Sequence, residues 1–158
     1  MFRKIIFALL ICSSFAGFSQ KKKEVKKYKI KGLTETETVN GKTIFDGKKT
    51  FDSNGEVAEE RNYDKDGTVK SIHRYKYNSE GDVLEDAEYD SKEQLKEKHT
   101  FKYNSLGEKI EEQSFDKDGK LEKKSVYTYD GKGLKSERKT YDGAGTLISV
   151  KKYIYEYK

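Results

Sequence analysis

The sequence predicts an all-β protein: an antiparallel meander of about ten strands, built from hairpin repeats into a twisted or curled open sheet. Three observations carry that expectation. Aromatic residues followed by Asp or Asn stand at 51, 63, 77, 89, 103, 115, 129 and 141, with a final Tyr-Glu pair at 155. The gaps between them alternate 12 and 14 through eight steps, giving a 26-residue double unit. The 158-residue chain also contains no proline, so nothing interrupts a strand ladder.

Each unit reads aromatic-Asp/Asn-x-x-Gly-x-apolar, with Glu93 in the glycine position of one unit and Lys109 and Lys135 in the apolar position of two others. Asp-x-x-Gly suits a type I turn followed by a Gly in the left-handed region, a common hairpin connection with a bulge. In that geometry Tyr63 faces Val69 across its hairpin and Tyr89 faces Leu95. Between turns lie stretches of roughly eight and ten residues, the length of strands. Extending the same register pairs Glu88 with Lys96, Asp86 with Lys98, Arg74 with Asp86 and Glu112 with Lys124. Opposite charges across a sheet contribute about 0.2–1 kcal/mol each and penalise a slip.

The chain before the units divides into three. Residues 1–19 read as an export signal: Arg3 and Lys4, an apolar core over 5–11, and Gly17-Phe18-Ser19 as a small-x-small cleavage site. That apolar core is shorter than the roughly 20 residues a membrane span needs. A lipid anchor on Cys12 is the rival processing route, but the bulky Ile11 directly precedes that cysteine. Residues 20–32 form a basic linker arm with seven lysines against Glu24. The repeat domain then covers 33–158, opening with a hairpin in which 34–39 and 42–51 flank Asn40-Gly41, the strongest short hairpin signal.

Composition narrows the class. Hydrophobic residues make up 33% of the whole chain and aromatic ones 13%, and the share of aliphatics falls further once the export signal is set aside. So little aliphatic material means that aromatic bodies with wet tips must do the burying. Residues 20–32 carry +6 and residues 33–158 carry −3, so the basic character belongs to the arm. The chain after Ser19 has no cysteine. Disulfides, thiolate metal sites and a cysteine nucleophile are therefore excluded from it.

The Tyr-Asp-x-x-Gly-x-Leu units over about 51–157 resemble the YD repeats of the Rhs family. That resemblance implies extended, coiling antiparallel sheet on exported or cell-surface proteins, with carbohydrate binding as a suggested role. Rhs units run longer than the units of this chain, which is itself too short to enclose a toxin domain. A looser resemblance is to MORN-type tyrosine/glycine hairpin repeats, which serve as protein-binding scaffolds. Neither family supplies catalytic residues.

The candidate ligand site is the aromatic stripe Tyr75/Tyr77, Phe101/Tyr103, Tyr127/Tyr129 and Tyr153/Tyr155, which recurs at one end of alternate strands. It is either a stacking platform for sugar rings or peptide, or the packed core itself. The two Asp-Lys-Asp-Gly loops at 64–67 and 116–119 lack the closing Glu of a calcium loop, since Tyr75 and Tyr127 stand in position 12. They read as turns. His73 and His99 lie two strands apart with Ala87 expected to face His73, so no metal site is expected, and no cofactor. No serine stands in a Gly-x-Ser-x-Gly elbow. The basic arm attracts anionic polymers by charge alone, without a nucleic-acid-binding signature.

The expected function is an exported, non-enzymatic protein for binding or scaffolding at the cell envelope, in the periplasm, on the surface or secreted. Its expected partner is an envelope polysaccharide or protein, with neither nucleic acid nor a transmembrane span involved. The alternatives are an immunity- or inhibitor-type partner protein and a carboxylate-based hydrolase.

Overall fold

The computed structural model describes residues 22–158; the export signal expected over 1–19 lies outside the described residues. Ten strands follow one another along the chain: β1 (Gly32–Val39), β2 (Lys42–Phe51), β3 (Val57–Tyr63), β4 (Val69–Tyr77), β5 (Val83–Tyr89), β6 (Leu95–Tyr103), β7 (Lys109–Phe115), β8 (Leu121–Tyr129), β9 (Lys135–Asp142) and β10 (Leu147–Lys152). They form a single antiparallel sheet in chain order, not closed into a barrel. Substantial packing joins each strand only to its neighbours in sequence.

The turns form because their side chains replace the missing ladder bonds. In 116–120 the Asp116 carboxylate accepts the backbone N–H groups of Asp118 and Lys120, both at 2.9 Å. Asp116 N donates to Lys120 O, and Gly119 N donates to Asp116 O. Gly119 sits at φ 76°, where a Cβ would be strained. The Asn40-Gly41 corner has both residues at positive φ, 52° and 76°, as its two-residue hairpin requires. Both Asp-Lys-Asp-Gly segments are turns of this series.

Tyr63 faces Val69 and Tyr89 faces Leu95, as the repeat spacing implies. One residue further the register departs from the expected one. Every hairpin from β2/β3 to β9/β10 carries a one-residue β-bulge just after the turn, leaving Lys70, Leu84, Lys96 and their equivalents unpaired. Glu88 therefore faces Glu97, Asp86 faces His99, Arg74 faces Ala87 and Glu112 faces Ser125. Ala87, expected to face His73, lies between Arg74 and Lys98 instead. The expected Glu88–Lys96 ion pair is kept from the bulge position, and other charges find new partners. Glu59 faces Arg74, Lys76 faces Glu85, and Lys102 faces Glu111.

With one layer, both faces must bury something. His73, Tyr75, Asp86, His99, Phe101, Glu112 and Tyr127 share one face. Ile72, Arg74, Ala87, Tyr89, Lys98 and Phe115 share the other. On this second face Ile72 and Ala87 are 0% and 1% exposed. Cation stems roof them: the Arg74 guanidinium lies 4.6 Å from the Tyr89 ring centre, and Lys98 Nζ lies 4.8 Å from that of Phe115.

The basic arm is not a free linker over its described part. Residues 22–27 are helical, and Val25 is buried. Val25 and Ile30 line a cleft of about 230 Å³ with Leu33, Phe51 and Val57. Lys22 pairs with Glu56, itself only 7% exposed. A Cβ at Gly55 would stand 3.0 Å from Lys22 O, so the helix rests on the bare glycine of the 52–56 turn. Two aliphatic residues in a lysine-rich stretch are enough to dock it.

Because each strand depends only on its neighbours, removing residues 77–102 should leave a folded protein one double unit shorter. Circular dichroism and a cooperative urea transition check this; loss of all β signal would mean that non-neighbouring strands support one another.

Candidate functional site

The sheet places the predicted stripe as expected in space but commits it to the sheet. Tyr75/Tyr77, Phe101/Tyr103 and Tyr127/Tyr129 close β4, β6 and β8, and Tyr153/Tyr155 follow β10. Neighbouring pairs are two strand spacings apart, about 9.6 Å. The second tyrosine of each pair hydrogen-bonds the carbonyl 20 residues before it: Tyr77 to Val57 (3.0 Å), Tyr103 to Val83 (3.0 Å), Tyr129 to Lys109 (2.8 Å) and Tyr155 to Lys135 (2.9 Å). Those four carbonyls belong to the first residues of β3, β5, β7 and β9. The hydroxyls thus pin β3, β5, β7 and β9 where the bulge breaks the ladder.

The first members of the pairs are packed between other groups. Tyr75 lies between His73 and Tyr77, at ring-centre distances of 6.2 and 6.3 Å. Phe101 has His99 at 6.4 Å and Lys109 Nζ at 4.9 Å. Tyr127, 8% exposed, has Lys109 and Lys135 at 5.3 and 5.1 Å and donates its hydroxyl to Glu112 at 2.8 Å. Burial first, and then the Glu112 carboxylate, push the Tyr127 hydroxyl up to about 12. Burial raises Tyr75 and Tyr77 as well. Around residue 155 the rings are more open, with Tyr155 41% and Tyr157 65% exposed.

The opposite face is ionic, and its carboxylates are occupied. Glu59 accepts from Arg61 (2.7 Å) and Arg74 (2.8 Å), and Glu93 accepts from the same two guanidiniums at 3.0 and 2.7 Å. Glu85 meets Lys76 at 2.9 Å, and Glu111 bridges Lys102 and Lys124 at 2.7 and 2.8 Å. Burial works to raise Glu59, but Arg74 and Arg61 outweigh it and hold that carboxyl below its usual range. Lys102 and Lys124 do the same for Glu111. Glu59, Glu85 and Glu111 sit on β3, β5 and β7, spread along the sheet.

The histidines do not meet. Asp86 stands between them, opposite His99 in register and 3.5 Å from His73 Nδ1. Among the described residues no group of three His, Cys, Asp or Glu side chains could hold a metal ion. No helix among them is long and apolar enough to cross a membrane.

The residue that sequence reasoning passes over is Glu93. It occupies the turn position that glycine holds elsewhere and adopts φ 60°. From the β5/β6 turn its carboxylate reaches back over β3 and β4 to both arginines, which explains the departure from the repeat. Its signal in the sequence is the exception itself, an acid replacing the conformationally required residue near Arg61 and Arg74.

No protein-family model and no curated protein matches the chain. Among solved structures, a protein of unknown function from Bacteroides fragilis is similar at 12% identity and a TM-score of 0.42, covering 80% of this chain and 96% of that one. The GtfA/B complex bound to UDP and GlcNAc gives 14% identity and a TM-score of 0.33, over 76% of this chain and 24% of that one. TcdB2-TccC3-TEV gives 12% identity and a TM-score of 0.22, over 76% and 10%. This chain therefore spans a small part of the latter two.

Two outcomes follow from this geometry. Glu93→Ala keeps the strained backbone and loses the clamp, whereas Glu93→Gly loses the clamp and relieves the strain. The melting temperature should therefore fall further for the alanine variant; the reverse order would mean that the left-handed backbone costs nothing there. The second outcome concerns acid. Glu59 and Glu111 are more readily ionised folded than unfolded, so their stabilisation is complete above the ordinary value of 4.5 and is lost as pH falls through the lowered folded values. Urea midpoints should drop progressively as pH falls below the ordinary value of 4.5. Glu111→Gln should flatten that slope, and an unchanged slope would remove Glu111 from the account.

Proposed function

We propose that the protein is an exported, non-enzymatic repeat scaffold of YD-repeat type that binds a partner at the cell envelope. The observation that carries this reading is the open single-layer sheet, which offers two faces and two edges to other molecules and disperses Glu59, Glu85 and Glu111 over separate strands. Hydrolysis by paired acids needs one carboxyl poised as an acid beside another that is ionised. Glu59, Glu85 and Glu111 are instead paired with separate cations, which favours binding over hydrolysis. The export signal expected over 1–19 supports the envelope location.

Between the two partner classes, a protein is favoured over a polysaccharide. Sugar stacking needs free ring faces, whereas Lys109 and Lys135 already lie over Phe101 and Tyr127. Four of the stripe's hydroxyls are also engaged by the backbone.

The experiment combines cell fractionation, a pull-down from envelope extract with the exported chain as bait, and a glycan array. A defined protein partner with an empty array is the expected result. Array binding that weakens in Tyr155→Ala would turn the reading to carbohydrate, and recovery of the protein in the cytoplasm would overturn the envelope role.

A further inference from the structure

The two edges of the sheet fit each other. Among the described residues β1 and β10 each pair on one side only, and their chemistries are opposite. β1 reads Gly-Leu-Thr-Glu-Thr-Glu-Thr-Val, while β10 reads Leu-Ile-Ser-Val-Lys-Lys. Leu147, Ile148 and Val150 on β10 are 46–53% exposed, an apolar edge of the kind that recruits a further strand. From β2 to β8 lysine-richer strands alternate with acid-richer ones, whereas β9 carries Lys135, Arg138 and Lys139 beside Glu137 and Asp142. β10 is a lysine-bearing strand with no neighbour on its outer side, and β1 is a glutamate-bearing one.

The backbone fixes how the two could meet. Phe51 N donates to Lys31 O and Tyr153 N donates to Ser136 O, so odd-numbered residues of both edges turn their peptide groups inward. Thr34 and Thr36 on β1 and Val150 and Lys152 on β10 then point theirs outward. Side chains give a matching rule. Glu35 lies opposite Gly47, which continues through Asn62 to Ser71 and hence to the face of His73 and Tyr75. Lys151 reaches that same face through Arg138 and Tyr127. An antiparallel register that sets Val150 against Thr36 and Lys152 against Thr34 satisfies both rules. It also sets Lys151 against Glu35 and Tyr153 against Leu33, and it leaves Ser149 against Glu37. Alternation of direction through ten strands means that the eleventh place runs the way β1 runs.

We propose that β10 of one copy pairs with β1 of a second copy, head to tail, continuing the meander from molecule to molecule through Lys151–Glu35 and the outward peptide groups. This goes beyond binding of a separate partner and does not depend on it. A head-to-tail contact of this kind is heterologous, so it builds open chains rather than a closed dimer. Two β1 edges in the same arrangement would set Glu35 against Glu37, a like-charge pair.

Sedimentation velocity of the exported chain over a range of concentrations, at low and physiological salt, tests the proposal. The expected result is a concentration-dependent series of species that shortens with salt. Lys151→Glu and Glu35→Lys should each weaken association by about tenfold, as expected for reversing one charge pair. An equimolar mixture of the two variants should recover it, because each copy then meets a complementary edge. Circular dichroism confirms that each variant is folded. A protein that stays monomeric throughout, or a closed dimer unmoved by Glu35→Lys, overturns the head-to-tail contact; the latter would assign association to two β10 edges.

Discussion

A sheet with one layer has nothing to pack against, and the rest of this molecule follows from that constraint. Apolar area cannot be hidden between two layers, so each face must shield its own rings. One face does so with tyrosine hydroxyls that reach over a strand to a backbone carbonyl. The other does so with the Arg74 and Lys98 stems laid against Tyr89 and Phe115, the Arg74 head neutralised by Glu59 and Glu93. Both devices use side chains with an apolar body and a polar end, which explains a chain poor in aliphatics yet rich in Tyr, Lys and Glu.

The repeat spacing and the hydroxyl anchors are linked. Each turn from β2/β3 onward is followed by a bulge, and a bulge weakens the ladder at the first residues of a strand. The carbonyls of Val57, Val83, Lys109 and Lys135 are the groups that the tyrosines take up, one per double unit. The alternation of a short and a long spacing brings a tyrosine back to that place once in every double unit of the array. The regularity seen as a period in the sequence is thus a regularity of repair in the sheet.

Much of this was legible in the sequence, for physical reasons that can be named. Asp-x-x-Gly and Asn-Gly encode turns locally, so the number of strands and the facing of Tyr63 with Val69 could be read without coordinates. The further ladder bulge, one residue past each facing pair, could not. It changes pairing by one residue and leaves no composition signature, since its site holds lysine in one hairpin and leucine in another. The helix over 22–27 was hidden because its charge pattern is that of a solvated tail, and only Val25 and Ile30 give it a place to dock. At the aromatic stripe the positions were legible, but their engagement with Lys109, Lys135 and Glu112 depends on side-chain directions that spacing does not carry.

The strand-to-neighbour connectivity also governs how the molecule would respond to force. In a ten-strand meander the chain ends leave from opposite margins, so tension applied there loads the outermost hairpin first. Its ladder bonds then break one after another rather than together in shear. Peeling would proceed from the margins inward in steps of one hairpin, and each release would lengthen the tether by a similar amount. A molecule built this way behaves as an extensible spacer that yields gradually and can rewind from whatever remains folded.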